Sequence, residues 1–141
     1  MADRLSIGTQ YEKMIEEIDS VDMLNLKTNG GRADIFIIAM ALGVNKGIRT
    51  QSKAKHGFIL ETSAKNKDSF MSFIYSVAVD ELRKNGQENQ IVDNNVVYNI
   101  AEEYANTGFE IIKEMIPDFS KYDEEDFEFE LIEMMDEIIQ Q

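Results

Sequence analysis

The sequence holds no Cys, no Trp, one Pro and one His among 141 residues. Without Cys there is neither disulfide nor thiolate chemistry, and a single imidazole leaves no ligand set for a structural zinc. Basic residues are scarce, with 14 Lys and Arg against 27 Asp and Glu and a net charge of -13. Phosphate is neutralised by Lys and Arg, so the chain as a whole is unsuited to ordinary nucleic-acid binding. The longest apolar run, Ile35–Leu42, falls far short of the roughly 20 residues that span a bilayer. The opening MADRLSIGTQ lacks the apolar stretch of a signal peptide. These absences point to a soluble, cytoplasmic protein with no membrane partner.

Catalytic signatures are equally thin. Gly30–Gly31 is not followed by the Gly-Lys-Ser/Thr of a phosphate loop. Asp123, Glu124, Glu125 and Asp126 run consecutively, without the alternation and central Gly of an EF-hand. The lone His56, between loop lysines, reads as solvent-exposed and inert. Glu61 and Lys65, with Asp34 upstream, faintly echo the carboxylate and Lys set of a metal-dependent nuclease, but those acids normally sit on strands and no clear strand is visible. The sequence therefore predicts a non-enzyme with no catalytic residues, no cofactor and no metal.

What is present is helical periodicity. Val96–Pro117 is the organising stretch: Val97, Ile100, Ala101, Tyr104, Ala105, Gly108, Ile111, Ile112 and Met115 fall three and four apart on one face. Glu102, Glu103, Asn106, Glu110, Lys113 and Glu114 fall on the other. Asp93 or Asn94 can cap its start, and Pro117 stops it. Thr9–Glu12 matches a capping box, predicting a helix from Gln10 to about Leu24, broken at Asn29–Gly30–Gly31. Asp34–Leu42 is almost wholly apolar and reads as a buried central helix ending at Gly43. Asn66 or Asp68 can cap a further helix to about Lys84. Ser120 opens a last, acidic one whose inner stripe is Phe127, Leu131, Met134, Met135 and Ile138. The expected architecture is one all-α domain over 1–141, a compact bundle of about five helices around a buried central helix. It carries one loop-rich segment, 44–67, in which Gly57–Leu60 reads equally as a short strand or a helical turn that inserts into the core, and an acidic C-terminal helix, 118–141.

Charge is unevenly spread. Lys46, Arg49, Lys53, Lys55, Lys65 and Lys67 crowd into one stretch and are the candidate contacts for an anion or partner. Asp123, Glu124, Glu125, Glu128, Glu133 and Asp136 are the candidate acidic partner face. Such a division either pairs internally or offers two electrostatic surfaces.

Two phrases carry a resemblance. Asp34–Arg49, DIFIIAMALGVNKGIR, has an Asp, an apolar run, Ala-Leu-Gly and then Gly-x-Arg. Ile100–Met115, IAEEYANTGFEIIKEM, is similar to a pattern Glu-Glu-Tyr-Ala-Asn-Gly-Gly-Leu-Glu-Ile-Leu-Lys-Glu, with Thr107 where that pattern has Gly. Together they resemble the DNA phosphorothioation (Dnd) system-associated protein 4 family, small proteins that accompany prokaryotic DNA-modification and restriction gene sets. The positions carried over are Asp34, Gly43, Gly47, Arg49, Tyr104, Asn106 and Gly108. The resemblance implies a role near defence against foreign DNA and supplies no reaction. Gly43 and Gly47 read as backbone necessities, Tyr104 and Gly108 as packing, and Arg49 as a two-pronged partner for a carboxylate or phosphate, with Asp34 as first choice.

The leading expectation is an accessory protein of such a system, acting through protein–protein contacts. The alternative is an acidic inhibitor that mimics nucleic acid toward a basic DNA- or RNA-binding protein. A second alternative is a nucleic-acid binder working through residues 46–67. The wide apolar helix faces permit a dimer without requiring one.

Overall fold

The computed structural model describes residues 4–20, 29–60, 68–115 and 132–133. Strand β1, Arg4–Gly8, leads through a 3-10 turn, Thr9–Tyr11, into helix α1, Glu12–Ser20. Helix α2 covers Asn29–Lys46 and strand β2 covers Lys55–Leu60. Helix α3 spans Asp68–Lys84. A second 3-10 turn, Glu88–Val92, precedes helix α4, Asn94–Met115.

The fold is mostly helical, but it is not the all-α bundle that periodicity predicts. β1 and β2 form a two-stranded antiparallel sheet in which Leu5 opposes Ile59 and Ile7 opposes His56. The register skips Phe58 between Ile59 and Gly57, the signature of a bulge. β1 escapes a sequence reading because five residues, RLSIG, carry only one and a half periods of alternation. Its Leu5 and Ile7 are nevertheless almost wholly buried.

The segment 44–67 is correspondingly less irregular than its composition suggests. α2 continues past Gly43 to Lys46 and ends at Gly47, whose φ of 75° is the left-handed conformation that Gly adopts without penalty. Residues 48–54 are loop and 55–60 are strand, while 61–67, with Glu61, Lys65 and Lys67, lie outside the described residues. Asn29–Gly30–Gly31 does not break the chain; it forms the opening turn of α2. The capping box at Thr9–Glu12 is replaced by the 3-10 turn, which has no side-chain cap. The cap of α4 is as expected: Asp93 Oδ1 accepts from the Asn95 N–H at 2.9 Å. Most of the predicted helix 118–141 lies outside the described residues; Ile132 and Glu133 are helical and exposed.

The central element is α4, not α2. Every residue from Ala101 to Phe109 is buried, whereas Asp34 on α2 is exposed and Ile37, Ile38 and Ala41 are half-buried. α2 crosses α4 closely because two glycines face backbone: a Cβ on Gly43 would meet the Tyr104 carbonyl, and one on Gly108 the Ala39 carbonyl. Gly43 opposite Tyr104 and Ala39 opposite Gly108 fix the two helices as antiparallel. Tyr11, Phe58 and Phe109 cluster over one end, with Phe109 5.8 Å from Tyr11 and 6.3 Å from Phe58 between ring centroids. Phe36 of α2 and Phe70 of α3 stand 6.0 Å apart.

Candidate functional site

The predicted solvent face of α4 is its most constrained surface. Glu102, Glu103, Asn106 and Thr107 are 5%, 6%, 2% and 4% exposed. Buried polar groups have to be partnered, and each of these is. Glu102 Oε2 accepts from the Ser6 N–H at 2.6 Å, and Asn106 Oδ1 accepts from the Gly8 N–H at 3.1 Å. Two residues along a strand advance about 6.8 Å, and four along a helix about 6 Å. Side chains at positions i and i+4 of α4 therefore reach alternate amides on the free edge of β1, and take the place of a third strand.

The loop after α2 is tied down the same way. Asn106 Nδ2 donates to the Thr50 carbonyl at 3.1 Å and to Ser52 Oγ at 3.2 Å. Thr107 Oγ1 donates to the Ile48 carbonyl at 2.8 Å and lies 2.7 Å from Thr50 Oγ1. The Thr50 N–H reaches the Glu103 carbonyl at 3.0 Å.

Beside this seam lies a charged network. Arg49 Nε donates to Glu103 Oε1 at 3.0 Å and Nη1 to Glu81 Oε1 at 3.1 Å. The Tyr104 hydroxyl donates to Glu81 Oε2 at 2.6 Å, and Asn99 Nδ2 to Glu103 Oε2 at 2.7 Å. Lys55 Nζ donates to Glu102 Oε1 at 2.8 Å. The Tyr104 hydrogen bond, with help from Arg49, holds the Glu81 carboxyl below its ordinary range against partial burial. Burial and the neighbouring Glu81 push the Tyr104 phenol up to about 12, so it stays a donor. Glu102 moves the opposite way: burial raises it, although Lys55 and the Ser6 amide pull against that. Arg49, Glu81 and Tyr104 line a cleft of about 550 Å³ between the end of α2 and the second half of α3, with Val44, Gly47, Val77, Asp80 and Lys84.

The sequence-nominated residues sort as follows. Gly43, Tyr104 and Gly108 meet at the α2–α4 crossing, Gly47 and Arg49 follow on the adjoining loop, and Asn106 pins that loop to β1. Arg49 engages Glu103 and Glu81 rather than Asp34, which is exposed elsewhere on α2. Of the basic candidates, Arg49 and Lys55 are ion-paired to acids, while Lys46 and Lys53 are exposed. Lys65 and Lys67 lie outside the described residues, as do Asp123, Glu124, Glu125, Glu128 and Asp136. Glu133 is exposed. His56 is exposed, and its Nδ1 lies 3.1 Å from Glu12 Oε1. Among the described residues no group of three or more His, Asp or Glu side chains could hold a metal.

No family model, curated protein or solved structure matches the chain.

Glu81, Asn99, Glu102, Glu103 and Thr107 went unmarked by periodicity, which assigns acids on a helix to solvent.

Proposed function

We propose that the protein is a non-enzymatic accessory component of a prokaryotic DNA-modification and restriction defence system, working in the cytoplasm through contacts with another protein. The observation that carries this reading is the use to which the motif residues are put. Arg49, Tyr104, Asn106, Gly43 and Gly108 join α2, its following loop, β1 and α4 into one scaffold. The half-buried pairs of Arg49 with Glu81 and Glu103 and the hydrogen bonds around them hold these elements in one arrangement, which suits a module that presents a shaped surface. Co-expression with the modification and restriction subunits of such a system, followed by co-purification at moderate salt, tests the proposal. Stoichiometric retention of one subunit is expected. A free monomer that hydrolyses nucleic acid overturns it.

Charge favours one second reading over direct nucleic-acid binding. Arg49 and Lys55 are neutralised by Glu81, Glu103 and Glu102, so the basic segment offers less than its sequence suggests, while Asp118–Gln141 holds ten acids and one base. An acidic mimic of nucleic acid that occupies a basic partner follows from that imbalance. Inhibition that survives deletion of 120–141 excludes it.

A further inference from the structure

The two edges of the sheet are finished differently. β1 turns the Ser6 and Gly8 amides outward, and α4 seals both with side-chain acceptors. Leu5 and Ile7 therefore bond toward β2, as does Thr9, whose N–H reaches the Ala54 carbonyl at 3.1 Å. Their partners Ile59, His56 and Ala54 occupy the inner side of β2. The alternate residues, Lys55 and Gly57, direct N–H and C=O away from β1. At Phe58 the outer side is closed, because its carbonyl accepts from Arg32 Nη1 at 3.1 Å. The outward backbone groups of Lys55 and Gly57 have no partner among the described residues. Lys55 and His56 are exposed and Gly57 is half-buried, so the edge is open to solvent. Lysine often guards such an edge, but Lys55 is drawn away to Glu102 on α4.

An unpaired strand edge takes another strand, and this one is complementary to itself. Antiparallel pairing about a two-fold axis at His56 sets Lys55 opposite Gly57 of a second copy, once on each side of the axis. Each of these pairs exchanges both of its backbone hydrogen bonds. Gly57 has no side chain to crowd the opposing Lys55, and the two lysines do not face each other. The other edge of the sheet is sealed by α4, so the pairing closes as a dimer and does not run on into a fibre. It also merges two two-stranded sheets, a size that is marginal by itself, into one larger sheet. We propose that the outer edge of β2 is a homodimerisation surface, on which β2 pairs antiparallel with β2 of a second copy about an axis at His56.

Sedimentation equilibrium of the full-length protein over a concentration series, with amide exchange read by NMR, tests the pairing. The paired stretch is short, so association is weak, with an expected dissociation constant of about 0.1 mM. Each copy carries a net charge of -13, so the dimer should tighten as salt screens the repulsion. The Lys55 and Gly57 amides should exchange more slowly at high protein concentration than at low. The His56 side chain is 64% exposed and can be replaced without touching the core. Like charges directly opposite each other destabilise a strand pair. His56→Asp and His56→Lys should therefore each weaken the dimer about fivefold, and a mixture of the two variants should associate at least as tightly as the parent. A monomer at every concentration and salt, edge amides indifferent to concentration, or a mixture no tighter than either variant alone each overturns the proposal. A dimer undiminished in both variants joins through another face and overturns it too.

Discussion

Gly108→Ala separates two effects of opposite sign. In an isolated helix the substitution stabilises by about 1 kcal/mol, because Ala is the better helix former. Here a Cβ at position 108 overlaps the Ala39 carbonyl oxygen and stands 2.5 Å from Ala39 Cα. Carbon atoms rest about 3.5–4.0 Å apart, so α2 and α4 must part by about 1 Å or more. A gap of that size forfeits a quarter to a half of each contact's attraction, along a crossing that buries Phe36, Ala39, Met40, Ala101, Ala105 and Phe109. The obstacle is backbone and cannot swing aside, so the cost belongs at the upper end of the roughly 1–3 kcal/mol typical of overpacking. Net of helix propensity, a loss of about 2 kcal/mol is expected, equal to about 8 °C in midpoint for a chain of this size. Urea unfolding followed by helical circular dichroism measures it. A variant as stable as the parent, or stabilised by the 1 kcal/mol that propensity alone supplies, refutes the close crossing.

The remaining predictions concern the polar seam. Glu81 has a lowered carboxyl, so its stabilisation is present above the ordinary value of 4.5 and is lost as pH falls through its folded value; the stability deficit of Glu81→Gln should shrink on acidification. Glu102 has a raised one, so its contribution is full below 4.5 and is lost as pH rises through its folded value. The deficit of Glu102→Gln should therefore shrink toward neutrality, and parallel pH trends for the two variants would contradict the assignment. Asn106→Ala strips the Gly8 amide of its acceptor and frees the Thr50 carbonyl; a loss of about 2 kcal/mol is expected, with amide exchange accelerated at Gly8.

Much of the scaffold was legible. α3 ends at Lys84, as its sequence leads one to expect, and α4 starts at the Asp93 cap. Val97, Ile100, Ala101, Tyr104, Ala105 and Ile112 are buried as their spacing requires. Periodicity resolves these helices because each buries an apolar stripe of residues three and four apart. It misses β1 and leaves Gly57–Leu60 open between a strand and a helical turn, because β1 is short and β2 contains a bulge at Phe58, which breaks the alternation that identifies a strand. It also gave the centre to α2, whose apolar run looked buried on all sides.

The sequence by itself determined a mostly helical, cysteine-free, strongly acidic chain, because composition and i, i+4 spacing are local properties. Only the tertiary structure decided that Glu102, Glu103, Asn106 and Thr107 face inward. Whether a polar face meets water or another strand depends on what packs against it. Here a strand nearly a hundred residues away lays its open edge along α4, and Glu102 and Asn106 of that face supply the acceptors which the edge lacks.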